Sequence, residues 1–354
     1  TNLKGGGAEK AMCRIGELLA RRGHEVHLIL LEHLLDHEPP PGVALHALTA
    51  AGTRQSRSWL GRRVASLRLR RLVATLERGK HLDLIVSTLP FADEVALRAG
   101  LRRHWCRIAN TMSAAIAGLA QQDRGKARRR MAGYRRRYRG ASLIAVSDGV
   151  AGDLAGELGV AAARVETIVN PIDVEAVRAL ARRPALLPRE PYAIHVGRFI
   201  ALKRHDLLFE AWRSLPDAPR LVLLAHREPA LDGLIQRYGL ESRVSVEGFQ
   251  PNPYPWIAGA KLLVLCSDHE GMPNVLVEAL ACGTPVVATD CPSGPRELLG
   301  RDAPDWLVPT GDAAALADAI GRGLASPGDA ARVDLSRFDP QCVAEQYERL
   351  AAGP

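Results

Sequence analysis

From Ala8 to Arg22, apolar residues at Ala8, Ala11, Met12, Ile15, Leu18 and Leu19 recur at helical spacing, and Gly23 stands where such a stripe would close. The pattern predicts an amphipathic helix followed by a buried strand, Val26–Leu31. Short apolar runs recur near Leu84–Val86, Trp105–Ala109, Leu143–Val146 and Val165–Val169, with helix-like segments between most of them. That alternation predicts a parallel sheet with helices on both faces. After Asn170-Pro171 it breaks, and Pro184, Pro188 and Pro191 punctuate a short arginine-bearing stretch that reads as an interdomain linker. It restarts at Tyr192–Val196 and continues through Leu221–Leu224, Val244–Glu247, Leu262–Leu265 and Val286–Ala288. The expectation is an α/β protein of two parallel-sheet domains, with small molecules bound in a cleft between them at the carboxyl ends of the strands. One large doubly wound sheet fits less well at this length.

Composition narrows the class. The chain has 354 residues, 47% hydrophobic and 24% charged, as ordinary globular proteins do. No window approaches the roughly 18 uncharged apolar residues of a membrane span. The start, Thr1 to Gly7, lacks the basic-then-apolar form of a secretory signal. Six cysteines without a C-x-x-C pair argue against structural zinc or a redox dithiol and fit a reducing cytoplasm. A net charge of +8 favours an anionic partner, whether nucleic acid, phosphorylated substrate or membrane surface.

The stretch Ser267-Asp268-His269-Glu270-Gly271-Met272-Pro273-Asn274-Val275-Leu276-Val277-Glu278 carries the most chemistry. A strand ends at Cys266, a glycine-bearing loop follows, and Pro273 is placed to open a helix that Gly283 ends. Free amides at that helix start and its dipole suit a diphosphate or a sugar hydroxyl. Glu278 lies about one turn past Asn274, on a line toward a ribose whose phosphates rest on the loop. Two glutamates eight apart are, by themselves, ordinary surface acids.

The run from Glu270 to Glu278, continued by Ala279-Leu280-Ala281-Cys282-Gly283-Thr284-Pro285 and by Ser293-Gly294-Pro295-Arg296-Glu297, closely resembles the E-x7-E region of glycosyltransferase family 4, the retaining GT-B enzymes. Gly197-Arg198-Phe199 with Lys203 resembles the family's opening of the second domain, and Gly5-Gly6-Gly7-Ala8-Glu9 its glycine loop before the first helix. Ser147 and Asn170-Pro171-Ile172-Asp173 fit the same alignment, so the resemblance covers nearly the whole chain.

The resemblance implies two Rossmann-like domains facing each other across a cleft: residues 1–170 for the acceptor, 171–336 for the donor, and a helix at 337–354 returning to the first domain. It implies a nucleotide diphosphate sugar, UDP by analogy, as donor, with no metal or other cofactor; no D-x-D pair is present. Arg198 and Lys203 would neutralise the leaving diphosphate, Glu270 would hold the hydroxyls of the transferred sugar and Glu278 the ribose. Gly6, Gly7, Gly197, Gly271, Met272, Pro273, Asn274 and Val275 would line the donor site. Two departures stand out. Relatives have an apolar strand ahead of the glycine loop, whereas this chain begins at Thr1, which implies a truncated or misassigned start and unpaired edges in the first sheet. After the strand at Trp105–Ala109, where many relatives carry a histidine or arginine facing the sugar, Asn110 stands, either in that role or as a turn residue.

For the acceptor, the first domain offers two basic stretches. No acid occurs between Glu38 and Glu77, while Arg54, Arg57, Arg62, Arg63, Arg68, Arg70 and Arg71 do; Arg124 to Arg139 carries Arg128, Arg129, Arg135 and Arg136 among others. Both suit anionic headgroups or a polyprenyl diphosphate, so the expected partners are a lipid-linked glycan acceptor and the inner face of the cell membrane, touched peripherally. A solvated helix face accounts for either stretch equally well. If their segment is helical, His33 and His37, four apart, would share a face and could bind a metal, but no third ligand is in view. Rival readings are a GT-B sugar-nucleotide epimerase, needing its own carboxylates and histidines, and a basic nucleic-acid-binding protein. At 5% aromatic residues there is little to stack on bases, and no nucleic-acid motif occurs, so none is expected as partner. A dehydrogenase is disfavoured because no G-x-G-x-x-G follows a strand.

Overall fold

The computed structural model describes Leu3, residues 7–35 and residues 39–353. Two compact units divide the chain, Thr1–Pro171 with Pro340–Pro354, and Ile172–Asp339.

In the first unit, α1 (Gly7–Arg21) leads to β1 (Val26–Leu30) and β2 (Val43–Ala47), then α2 (Trp59–Leu76), β3 (Ile85–Thr88), α3 (Pro90–Ala99), β4 (His104–Ile108), α4 (Met112–Gln122), α5 (Arg124–Tyr138), β5 (Ser142–Ala145), α6 (Asp148–Ala155) and β6 (Arg164–Thr167). Gly23, at φ +91, ends the first helix as its position suggested, its N–H donating to Ala20 O at 3.0 Å. All strand pairs are parallel, but they form two sheets, β1-β2 and β3-β4-β5-β6. A cavity of about 880 Å³ separates β1 from β3, lined by Leu28 and Leu30 on one side, Ile85 and Val86 on the other, and Met12 of α1. Among the described residues nothing pairs with those two inner edges. The core beside it packs α2 on α3 through Ala65, Leu69 and Val73 against Val95, Ala96 and Ala99.

The second unit runs α7 (Val174–Ala181), β7 (Tyr192–Val196), α8 (His205–Arg213), β8 (Arg220–Leu224), α9 (Pro229–Arg237), β9 (Val244–Val246), α10 (Tyr254–Ala258), β10 (Leu263–Leu265), α11 (Asn274–Ala281), β11 (Val286–Thr289), α12 (Pro295–Leu299), β12 (Leu307–Val308) and α13 (Ala313–Ala325). Its six strands are all parallel, in the order β12-β11-β10-β7-β8-β9. On α8, Leu207, Leu208, Phe209 and Trp212 are buried, each contributing about 2 kcal/mol. A last helix, α14 (Pro340–Ala352), packs on α1 in the first unit, where Glu348 accepts from Arg22 Nε at 2.7 Å.

Two expectations need correction. The proline-bearing stretch at Pro184–Pro191 is not an interdomain linker. It lies inside the second unit, because α7 ahead of it packs on α10 and α11, with Arg178 Nε donating to Ala281 O at 3.2 Å and Asn252 Nδ2 to Leu180 O at 2.9 Å. His33 lies in irregular chain rather than on a helix, its N–H donating to Thr49 Oγ1, and His37 lies outside the described residues.

Candidate functional site

In the second unit β7 and β10 are neighbours, yet the chain proceeds from them to opposite sides of the sheet. The loops after such a pair diverge and leave a crevice at the carboxyl ends of the strands. Of the predicted site residues, Gly197, Arg198, Lys203 and residues 270–273 fall on these two loops, and Asn274, Val275 and Glu278 on the helix that follows the second.

After β7, Gly197 matters for what it lacks. A Cβ there would stand 3.3 Å from His195 Nε2 and 3.6 Å from Lys203 Cδ, so the lysine stem lies against the glycine. A single 3-10 turn, Ala201–Lys203, then brings the chain to Arg204, at φ +48, whose guanidinium donates to Asp206 and to Asp268 at 2.9 Å. After β10, Asp268 N donates to Leu202 O at 3.0 Å and Cys266 Sγ to Lys203 O at 3.1 Å, so the loops are stitched together. On that frame Lys203 Nζ reaches Glu270 Oε1 at 2.6 Å, both side chains largely buried.

Behind Lys203 lie two buried histidines, their rings 4.8 Å apart and edge-on. His195 shares its Nδ1 with Val264 O. Burial, with Lys203 nearby, holds His205 down at about 4 and His195 well below the usual imidazole range, so both are neutral at pH 7.

Past Glu270, Gly271, Met272 and Pro273 are buried, Asn274 and Val275 half-buried, and α11 begins at Asn274 with no side-chain cap from Pro273. Gly283, at φ +81, closes the helix as predicted. A second loop supports this one: Glu270 N donates to Pro292 O at 3.3 Å, and Gly294, at φ +93, faces Pro273 so closely that a Cβ would lie 2.4 Å from its Cδ. One turn into α11, Glu278 accepts from the Tyr254 hydroxyl at 3.3 Å.

The structure thus joins Lys203 to Glu270, puts Gly197 against Lys203 and sets Asn274 and Glu278 on one short helix. Arg198 is exposed and, among the described residues, has no ion-pair partner. In the first unit Gly7 is the first residue of α1, and Gly6 lies outside the described residues. Asn110 accepts from Thr111 N at 2.9 Å, as a turn residue does, while α4 is capped from a distance by Asp153, which accepts from Met112 N at 2.9 Å. Arg128, Arg129 and Arg136 are exposed on α5, and Arg135 donates to Leu158 O at 2.6 Å. Among the described residues no three His, Cys, Asp or Glu side chains cluster as metal ligands.

Three features escaped the sequence reading. Tyr254 braces Glu278 from twenty-four residues away. Gly294 sets the supporting loop. At the carboxyl ends of β8 and β9, His226 and Phe249 stack with centroids 5.7 Å apart and planes 11° apart, leaving an aromatic platform. An aromatic directly after Glu247-Gly248 at a strand end is the one local sign of it.

Comparison with known proteins matches this geometry to a family. The family model described as Glycosyltransferase Family 4 matches residues 5–176, and that described as Glycosyl transferases group 1 matches residues 190–326. The chain is 34% identical over 168 residues to the Campylobacter jejuni N-acetylgalactosamine-N,N'-diacetylbacillosaminyl-diphospho-undecaprenol 4-alpha-N-acetylgalactosaminyltransferase, 47% of this chain and 46% of that enzyme. It spans less than half the length of several such curated relatives. Among solved structures, sucrose-phosphate synthase from Thermosynechococcus elongatus superposes with a TM-score of 0.79 at 22% identity, covering 99% of this chain and 94% of that one. Anabaena Alr3699/HepE, solved in complex with UDP-glucose, gives 0.73 at 20%, covering 99% and 97%. These likenesses show the fold, GT-B, with its two Rossmann-like units in one chain. With one family model on each unit and both crevice loops in the expected order, the chain belongs to the family 4, group 1 glycosyltransferases.

Proposed function

We propose that the chain is a retaining glycosyltransferase that moves a hexose or N-acetylhexosamine from a nucleotide diphosphate sugar, a UDP-sugar, to a polyprenyl-diphosphate-linked glycan in bacterial cell-surface polysaccharide assembly. The observation that carries this is the Lys203–Glu270 pair at the crevice of the second unit, beside the start of α11. A cation there meets the diphosphate and a carboxylate meets sugar hydroxyls, the two needs of a sugar donor. Support for UDP comes from the Anabaena neighbour, and for the acceptor from the diphospho-undecaprenol in the Campylobacter relative's name.

In this reading the incoming diphosphate draws Lys203 away from Glu270, freeing the carboxylate for the sugar. Arg198, exposed at the same loop, adds the second positive charge, so the reaction needs no metal. Glu278, braced by Tyr254, takes the ribose, and the base stacks on the His226–Phe249 platform. Bond formation from the acceptor oxygen to C1 accompanies cleavage of the C1–O bond to phosphate, and the acceptor proton passes to the departing phosphate oxygen. No side chain is assigned as base. The first unit receives the acceptor, at the cytoplasmic face of the membrane, where its arginines meet anionic headgroups.

The test is turnover of UDP-sugars on a polyprenyl-diphosphate glycan in EDTA, with the product read by NMR. Transfer with the donor's anomeric configuration kept is the expected result; an inverted product, or a requirement for metal, contradicts the reading. Conversion of the nucleotide sugar without acceptor is what an epimerase would give instead.

A further inference from the structure

The two basic stretches of the first unit differ in what lies between the arginines. At about 100° per residue, the outward half of α2 carries Trp59, Leu60, Val64 and Leu67 together with Arg63, Arg68, Arg70 and Arg71. The four apolar side chains are 57%, 66%, 42% and 44% exposed, although the opposite face of the helix is already committed to α3. Four large apolar residues left in water on one helix face mark an interaction surface, since nothing in the core asks for them. No acid lies on α2. On α5, by contrast, no large apolar side chain is exposed, and its arginines make an ordinary solvated face.

Beside the apolar strip a groove of about 280 Å³ runs between α2 and the end of α3, lined by Trp59, Arg63, Leu67, Arg70 and Arg98. Arg63 stacks its guanidinium 4.8 Å over the Trp59 ring. Arg98 is paired with Glu94, a carboxylate that also meets Arg62 and Arg137 and so is outnumbered by its cations. The groove therefore joins an indole, a leucine and net positive charge, a combination suited to a phosphate ester next to an acyl chain.

We propose that α2 is the membrane-docking element: Trp59, Leu60, Val64 and Leu67 enter the interface of an anionic bilayer while Arg63, Arg70 and Arg98 seat one lipid phosphate. The inference rests on the membrane contact proposed above and narrows it to one helix. The apolar strip selects a bilayer over nucleic acid, which would satisfy the arginines and leave Leu60, Val64 and Leu67 in water.

Sedimentation with phosphatidylcholine vesicles, with and without phosphatidylglycerol, tests it on the full chain. The expected result is binding that needs the anionic lipid and falls at least about tenfold in Leu60→Ser/Val64→Ser/Leu67→Ser, and similarly in Arg63→Ser/Arg70→Ser. Arg128→Ser/Arg129→Ser/Arg136→Ser binds as the parent does, and the Trp59→Phe difference spectrum shows a blue shift on binding. Millimolar inorganic phosphate leaves vesicle binding intact; if it abolishes binding, the groove is a free-phosphate site and the proposal fails. Equal vesicle binding by the apolar triple variant, or loss confined to the α5 variant, overturns it, as does RNA that displaces vesicles and binds the apolar variant undiminished. Circular dichroism confirms that each variant is folded. Nucleotide-sugar turnover on a short water-soluble acceptor is measured in parallel: its absence with vesicle binding intact refutes the transferase reading and leaves docking standing, and the reverse refutes docking alone.

Discussion

Lys203 Nζ lies 2.6 Å from Glu270 Oε1, joining the loop after β7 to the loop after β10 at the point where the chain's direction of travel along the sheet reverses. The contact holds a cation and a carboxylate together at a site where the proposed donor needs them apart. Lys203→Met and Glu270→Gln are each expected to lower turnover about 10²- to 10³-fold. Because the residues act as a unit, the double variant should be little worse than the poorer single one. Steady-state kinetics checks this; additive losses in the double variant contradict the pairing's role.

Glu278 is assigned to the nucleotide and Tyr254 only to Glu278. Glu278→Ala should weaken nucleotide binding about 10- to 100-fold, the scale of a hydrogen bond to a charged group, and Tyr254→Phe by less than about tenfold. Calorimetry with UDP separates the two; an equal or greater loss in Tyr254→Phe would make the tyrosine the ligand.

Gly294→Ala tests the supporting loop. At φ +93 the new Cβ is strained, and it would lie 2.4 Å from Pro273 Cδ. The variant should lose about 2 kcal/mol or more of stability in urea and bind nucleotide more weakly, since Pro273 must move. An unchanged midpoint would mean that the loop yields freely.

The histidines behind Lys203 give the second unit an acid limit. Burial, and the positive charge of Lys203, hold His205 at about 4, below its unfolded value near 6.5. The unfolded chain therefore binds a proton first as pH falls, so stability present above about 6.5 is lost toward 4, by up to ~3 kcal/mol. Asp93 of the first unit works in the opposite sense: burial raises it to about 6, so its contribution is lost as pH rises from about 4 to 6. Comparing wild type with His205→Leu isolates the histidine, and the variant's urea midpoint should fall less between pH 7 and 5. Parallel pH profiles contradict the assignment.

Much of the fold was legible because strands buried on both faces of a parallel sheet appear as uninterrupted apolar runs, and β7, β8, β10 and β11 lie where such runs are. Half-buried β2, Val-Ala-Leu-His-Ala, and two-residue β12 lack that signature. The stretch at Pro184–Pro191 has linker composition, and only the packing of α7 on α10 and α11 shows where it belongs. At the site, Glu270, Lys203 and Glu278 were singled out by the family resemblance; as isolated letters, two glutamates eight apart and a loop lysine read as ordinary surface charges. What braces them comes from elsewhere in the second unit: Tyr254, at the start of α10, donates to Glu278, and Gly294 packs against Pro273. Arg198 and Lys203 look equivalent as letters; the 3-10 turn that carries the lysine back over Gly197 sets them apart.

The central claim, that the β7 and β10 loops form a donor site for a nucleotide diphosphate sugar, is tested most directly by calorimetry. UDP-, GDP- and ADP-sugars are titrated in EDTA into wild type, Lys203→Ala and Glu278→Ala. The account predicts binding of the UDP class without metal, weakened at least about tenfold in both variants. Folded wild type that binds none of them, or binding untouched in both variants, would contradict it.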